Sequence, residues 1–135
     1  MSIEIIRKGL ETAANAWAVA QGMEIVFEDE NFTPGDATYA RSFLLPLPPE
    51  SDTLDKIHRV YEGVYQISIF TPAGAGPRAA EAFLASLDAA FSPAAPMVVD
   101  GLRIFITRPM GARTAGQDTD WRSLPVSCAY RADTV

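Results

Sequence analysis

The sequence predicts an α+β fold: a largely antiparallel, or mixed, sheet of five to six strands packed by two helices, in the order α-β-β-β-α-β-β-β. Three observations carry that expectation. Two segments place apolar residues three and four apart, as one face of a helix requires. Residues 58–71 and 102–107 alternate apolar and polar with the period of a half-buried strand. Asp100-Gly101 stands between two β-branched runs, which is the strongest short-range signal for a hairpin.

The first helix is expected over about residues 3 to 20, with Ser2 as its cap and Ile3, Ile6, Leu10, Ala13, Ala14 and Trp17 as its apolar stripe. Gly22 is the stop, because glycine accepts the left-handed backbone that ends helices. "MEIVFED" reads as a short strand, and "ENFTPGDATY" supplies turn chemistry. "YARSFLLPL" is a second strand, ended by Pro46, Pro48 and Pro49. "PPESDTLDK" is polar and proline-led, and is expected to be an exposed loop.

A third strand is expected from His58 to Thr71, with Tyr61, Tyr65, Ile67 and Ile69 on one face and Glu62, Gln66 and Ser68 on the other. Gly63 within it predicts a bulge or a close approach by another backbone. "GPRAAEAFLASLDAAF" is the second helix, with Pro77 in its first turn and Ala80, Phe83, Leu84, Leu87 and Phe91 facing inward. Pro93 and Pro96 end it. The hairpin at Asp100-Gly101 follows, then "ARTAGQDTD" as a loop and "WRSLPVSCAYRAD" as the closing strand.

At 135 residues the chain is expected to form one domain spanning residues 1–135. With 48% hydrophobic and 21% charged residues, it has the balance of a chain that buries a core. The 17 acidic residues against 11 basic ones give a net charge of −6, which disfavours a sequence-independent grip on nucleic acid. No apolar run approaches the length of a membrane span, and the start of the chain lacks the apolar run of a signal peptide. The expectation is therefore a protein folded in a reducing cytoplasm.

Cys128 and His58 are the only residues of their kinds, so neither an intramolecular disulfide nor a four-ligand zinc site of the usual type can be assembled. His58 reads as a surface or edge residue and Cys128 as a small buried one. Gly74, Gly76 and Ala79 match the spacing of a dinucleotide fingerprint. The strand before them is half polar, however, and Pro77 removes an N–H from the turn that would meet the phosphate. The reading is a plain strand-to-helix turn, with no cofactor. Glu28, Asp29 and Glu30, and separately Asp118 and Asp120, are the acidic clusters open to acid–base or metal chemistry, with solvated loop carboxylates as the plainer account.

Arg103, Arg108, Arg113 and Arg122 gather in the C-terminal third, and Phe105 shares the less apolar face of its strand with Arg103 and Thr107. Aromatic residues and arginines dominate protein interfaces. Arg103, Phe105, Arg113, Asp118 and Asp120 are accordingly the candidate assembly interface.

One set of motifs goes further. A helix ending in Trp17, "Y-x-R" at Tyr39 to Arg41, "YEGVYQISIFTPAGAG", and "RP" followed by "DTDWRSLPVSCAY" resemble a phage protein family of the domain-of-unknown-function kind. It is similar to the tail terminator (minor tail) proteins of long-tailed, lambda-like phages. The likeness covers nearly the whole chain. It implies a structural protein and no enzyme: a ring, hexameric when assembled, that sits on the tail tube end, stops tube polymerisation and supports head–tail joining. The implied partners are further copies of the chain, the tail tube protein and a head–tail joining protein, with no specific nucleic acid and no membrane. The implied locations are the host cytoplasm during assembly and then the virion tail, the gene lying in a phage or prophage. Two alternatives stay open, another neck or tail-completion protein and a small ligand-binding or metal-dependent hydrolytic domain using the acidic loops.

Overall fold

The computed structural model describes residues 2–48, 60–94 and 96–134. Its elements are α1 (Ser2–Gln21), β1 (Glu24–Val26), β2 (Tyr39–Pro46), β3 (Val60–Pro72), α2 (Arg78–Glu81), α3 (Leu84–Ala90), β4 (Met97–Val99), β5 (Leu102–Ala112), β6 (Gly116–Gln117) and β7 (Trp121–Thr134). The strands form one sheet in the order β1-β2-β3-β7-β5-β4, with β6 paired to β7 beyond the end of β5. All pairings are antiparallel except β1 with β2. The fold is α+β with a mixed sheet, as expected, and β6 is an added two-residue strand.

Helix α1 buries Ile6, Leu10, Ala14, Trp17 and Ala18, whose spacing of three and four keeps them on one side. Ile3, expected in that stripe, is exposed instead, one turn beyond the sheet contact. Gly22 ends the helix at φ 68. Its N–H donates to the Val19 carbonyl and the Met23 N–H to the Ala18 carbonyl, the paired bonds of a Schellman stop.

The second helix is one helical run in two pieces. Ala82 and Phe83 keep right-handed helical backbone, but the Phe83 N–H bonds the carbonyl three residues back, at Ala80. A long-range bond sits next to that tightened turn. Ser86 Oγ donates to the Phe83 carbonyl and accepts from Trp17 Nε1, both at 2.9 Å. Trp17 also meets Phe83 edge to face. Pro77 stands just before α2, in the helical region.

Register decides which side chains form the core. Tyr65 lies opposite Leu44 on β2 and Cys128 on β7, and Ile104 lies opposite Ala132. Cross-strand partners share a face. One face of the sheet therefore presents Ala40, Leu44, Tyr61, Tyr65, Ile67, Ile69, Ile104, Val126, Cys128 and Tyr130, all buried in one cluster with residues of α1, α2 and α3. The Tyr65 hydroxyl, deep in it, donates to Ser42 Oγ at 2.8 Å. At the far edge, Asp100 (φ 49) and Gly101 (φ 80) both hold left-handed backbone, the two-residue turn that matches strand twist.

Gly63 shows the close approach and no bulge. A Cβ there would lie 2.6 Å from Tyr130 Oη and 2.7 Å from the Leu45 carbonyl oxygen. The expected loop "PPESDTLDK" lies, apart from Pro48, outside the described residues, and so does His58.

Candidate assembly surface

The helices cover one face of the sheet, and the other carries an unusual mixture. Successive cross-strand rows on it are Phe43, Gln66 and Ser127; then Leu45, Val64, Ala129 and Arg108; then Glu62, Arg131 and Phe105; then Val60, Asp133, Arg103 and Val98. Leu45 (49% exposed) and Val98 (64%) stand on it in solvent, and Leu47 (57%) follows at the end of β2. Exposed apolar groups among arginines have the composition of a surface that meets another protein. Arg103 lies over the Phe105 ring with its guanidinium carbon 5.9 Å from the centroid. Arg113 Nε donates to Ser127 Oγ at 3.1 Å, which lays that arginine along the same face.

The opposite end of this face is closed by the chain's own aromatics. Tyr39 stacks on Phe70 at 4.8 Å, meets Trp121 edge-on at 5.0 Å and is covered by Phe32 from the β1–β2 loop at 4.9 Å. Arg41 packs over both Phe32 and Tyr39. Tyr39, Arg41, Phe70 and Trp121 come from three of the four sequence segments singled out by resemblance, and the register brings them together. Those motifs mark a packing cluster that fixes the loop against the sheet.

The chain's sequence carries the decisive comparison: the profile of the phage tail terminator protein family matches residues 5–130. The chain belongs to the phage tail terminator family. It is thus a structural protein of a phage tail. A solved structure superposes on this tail terminator with a TM-score of 0.81 at 29% identity, covering 98% of this chain and 96% of that one. No curated protein matches it.

Within the tail terminator, the five expected interface residues fall into separate groups. Arg103 and Phe105 sit opposite Asp133 and Arg131 near the end of β7. Asp118 and Asp120 sit beside Trp121 at its start, up to roughly 40 Å away along the strand. Arg113 lies between them, its N–H bonded to the Pro125 carbonyl. The Asp118 carboxylate acts locally, accepting the N–H groups of Asp120 and Trp121 at 3.0 and 2.8 Å and so fixing the turn into β7. Asp120 instead borders a shallow cleft of about 370 Å³ with Asp36, Pro72 and Trp121. The structure therefore keeps Arg103 with Phe105 and sends the two aspartates to the aromatic end.

The remaining candidates have structural surroundings. Cys128 is buried in the core, and burial pushes its thiol up to about 12, the form that does not act as a nucleophile. Burial raises Glu28, but the Leu44 N–H and the Arg7 guanidinium outweigh it and hold the carboxyl below its ordinary value. Glu30 accepts the Phe27 N–H at 2.8 Å. Among the described residues no three His, Cys, Asp or Glu side chains converge as metal ligands. Gly74 (φ 92) and Gly76 (φ 84) provide the left-handed backbone of a turn. The strand before them is paired antiparallel on both sides, and α2 lasts four residues, so the parallel βαβ frame of a dinucleotide site is not built.

Proposed function

We propose that this protein ends tail-tube growth by forming a ring, hexameric when assembled, on the tube end, and that the ring then supports joining of tail to head. Its partners are other copies of the chain, the tail tube protein and a head–tail joining protein. Assembly takes place in the host cytoplasm, and the protein remains in the virion tail. No catalytic step enters the proposal. The family match over residues 5–130 supports the reading most directly. The open sheet face agrees with it, since Leu45, Val98, Phe105, Arg103 and Arg108 offer apolar and guanidinium groups to a neighbour.

Deleting the gene from an inducible phage and measuring tail length by electron microscopy tests it. Tails of uncontrolled length, or tails that fail to join heads, are expected. Virions of normal length and normal yield contradict it.

A further inference from the structure

The two flanks of the sheet carry opposite charge. Residues 22–40, leading through β1 into β2, hold Glu24, Glu28, Asp29, Glu30 and Asp36 and neither Lys nor Arg, a formal −5. Residues 101–117, running through β5 and β6, hold Arg103, Arg108 and Arg113 and neither Asp nor Glu, a formal +3 on a chain of net −6. All eight side chains are exposed. Strand order sets the groups apart, with β1 at one end and β5 next to last at the other. Arg7 offsets part of the acidic charge through Glu28 at 3.1 Å. On the basic flank, Asp133 faces Arg103 in register but is held by Arg131 at 3.6 Å, which leaves the β5 arginines their charge.

Such a layout discriminates between ways of joining two copies. A two-fold contact through either flank brings like charges together, which costs free energy. A head-to-tail contact sets the basic flank of one copy on the acidic flank of the next, and repetition of one such contact gives a ring when its rotation closes. Main-chain pairing between edges is blunted on both sides. The β5 edge contains Pro109 and two register shifts, and on β2 the Glu28 carboxylate already holds the Leu44 N–H. The contact is therefore one of side chains. We propose that successive copies of this chain dock head to tail, Arg103, Arg108 and Arg113 of one against Glu24, Asp29 and Asp36 of the next. This deepens the ring reading above and rests on it.

Charge exchange tests the pairing in phage carrying a deletion of the gene. Complementation with the parent gene, restoring tails of controlled length, is the ring reading's own test and comes first. Two variants are then supplied, Glu24→Lys with Asp36→Lys, and Arg103→Glu with Arg108→Glu, each confirmed folded by thermal melting. Each alone gives the docking residues of both flanks one sign, +3 and +1 in the first variant and −3 and −1 in the second, and virion yield is expected to drop by about tenfold or more. Supplied together they alternate around a ring with every contact complementary, and yield is expected to return to within about threefold of the parent. A single chain carrying all four changes has docking residues of exchanged sign, +1 at positions 24, 29 and 36 and −1 at 103, 108 and 113, and is also expected to assemble.

Full activity of either folded variant alone overturns the proposal. So does failure of the mixture. Loss confined to the arginine variant overturns it as well, because the basic flank then meets some other acidic partner. None of these results touches the ring reading if the parent gene restores tail length.

Discussion

Replacing Gly63 by alanine adds one methyl group at the most crowded point of the sheet. Gly63 faces Pro46 on β2 and Tyr130 on β7. The new Cβ would stand 2.6 Å from Tyr130 Oη, 2.8 Å from Tyr130 Cε2 and 2.7 Å from the Leu45 carbonyl oxygen. Tyr130 is fixed by core packing and the Leu45 carbonyl by the β2–β3 ladder, so neither is the free end of a flexible chain. Overpacking a core costs about 1–3 kcal/mol. With one contact to main chain and two to a buried ring, the expected loss is near the top, about 3 kcal/mol. In urea, with a slope of about 2 kcal/mol/M, the unfolding midpoint falls by about 1.5 M.

Two comparisons isolate the cause. At Gly111 a Cβ meets nothing within 4 Å, so Gly111→Ala is expected to be neutral or stabilising by about 0.5 kcal/mol. The Tyr130 hydroxyl is buried without a hydrogen-bond partner among the described residues, so Tyr130→Phe is expected to cost nothing and to gain up to about 1 kcal/mol. In the Gly63→Ala background the same change removes the nearest collision and is expected to recover about 1 kcal/mol more than it gains alone. A Gly63→Ala midpoint indistinguishable from that of Gly111→Ala refutes the crowding argument.

Three further expectations rest on other contacts. Trp17→Phe removes the indole bond to Ser86 and is expected to cost about 1–2 kcal/mol, most of it absent in a Ser86→Ala background, as measured by a double-mutant cycle in urea. The Cys128 thiol, raised to about 12 by burial, is expected to ignore a disulfide reagent at pH 8 in the native protein and to react stoichiometrically once urea unfolds the chain. Glu28 has its folded pKa depressed below the ordinary 4.5, so its contribution is present above 4.5 and is lost as pH falls through the folded value. Glu28→Gln is therefore expected to show a shallower loss of stability on acidification than the parent, a slope read from urea midpoints against pH.

Local chemistry made much of the fold legible. The Gly22 stop, the Asp100-Gly101 turn and the α1 stripe each depend on neighbours within a few residues, and the sequence carries those in full. The features that escaped it depend on partners far along the chain. Whether Glu24–Val26 pairs parallel or antiparallel with β2 is settled by how the loop to Tyr39 runs, and three residues hold no signal for it. The tightened turn at Phe83 adjoins the bond that Trp17, 69 residues before Ser86, makes to it. β6 exists because β7 continues past the end of β5 and offers it a partner.

The candidate surface was legible in part for the same reason. Alternation placed Arg103 and Phe105 on one outward face, and the structure keeps them there. Asp118 and Asp120 look close to Arg113 in sequence, but β7 carries them to the end where Tyr39, Phe70 and Trp121 pack. That aromatic cluster draws on four segments and needs the β2–β3–β7 register to be seen. Ser68, expected on a solvated face, is buried at 5% exposure beside that cluster, since the strands on both sides and Arg41 opposite it close over a small side chain.

Whether copies of this protein form one ring at the end of the tail tube is read most simply by electron microscopy of purified tails, with the protein located by an attached label. Label at a single end of each tail, in the density of one closed ring, is the expected result. Label spread along the tube, or tails of controlled length that carry none, contradicts a terminating ring.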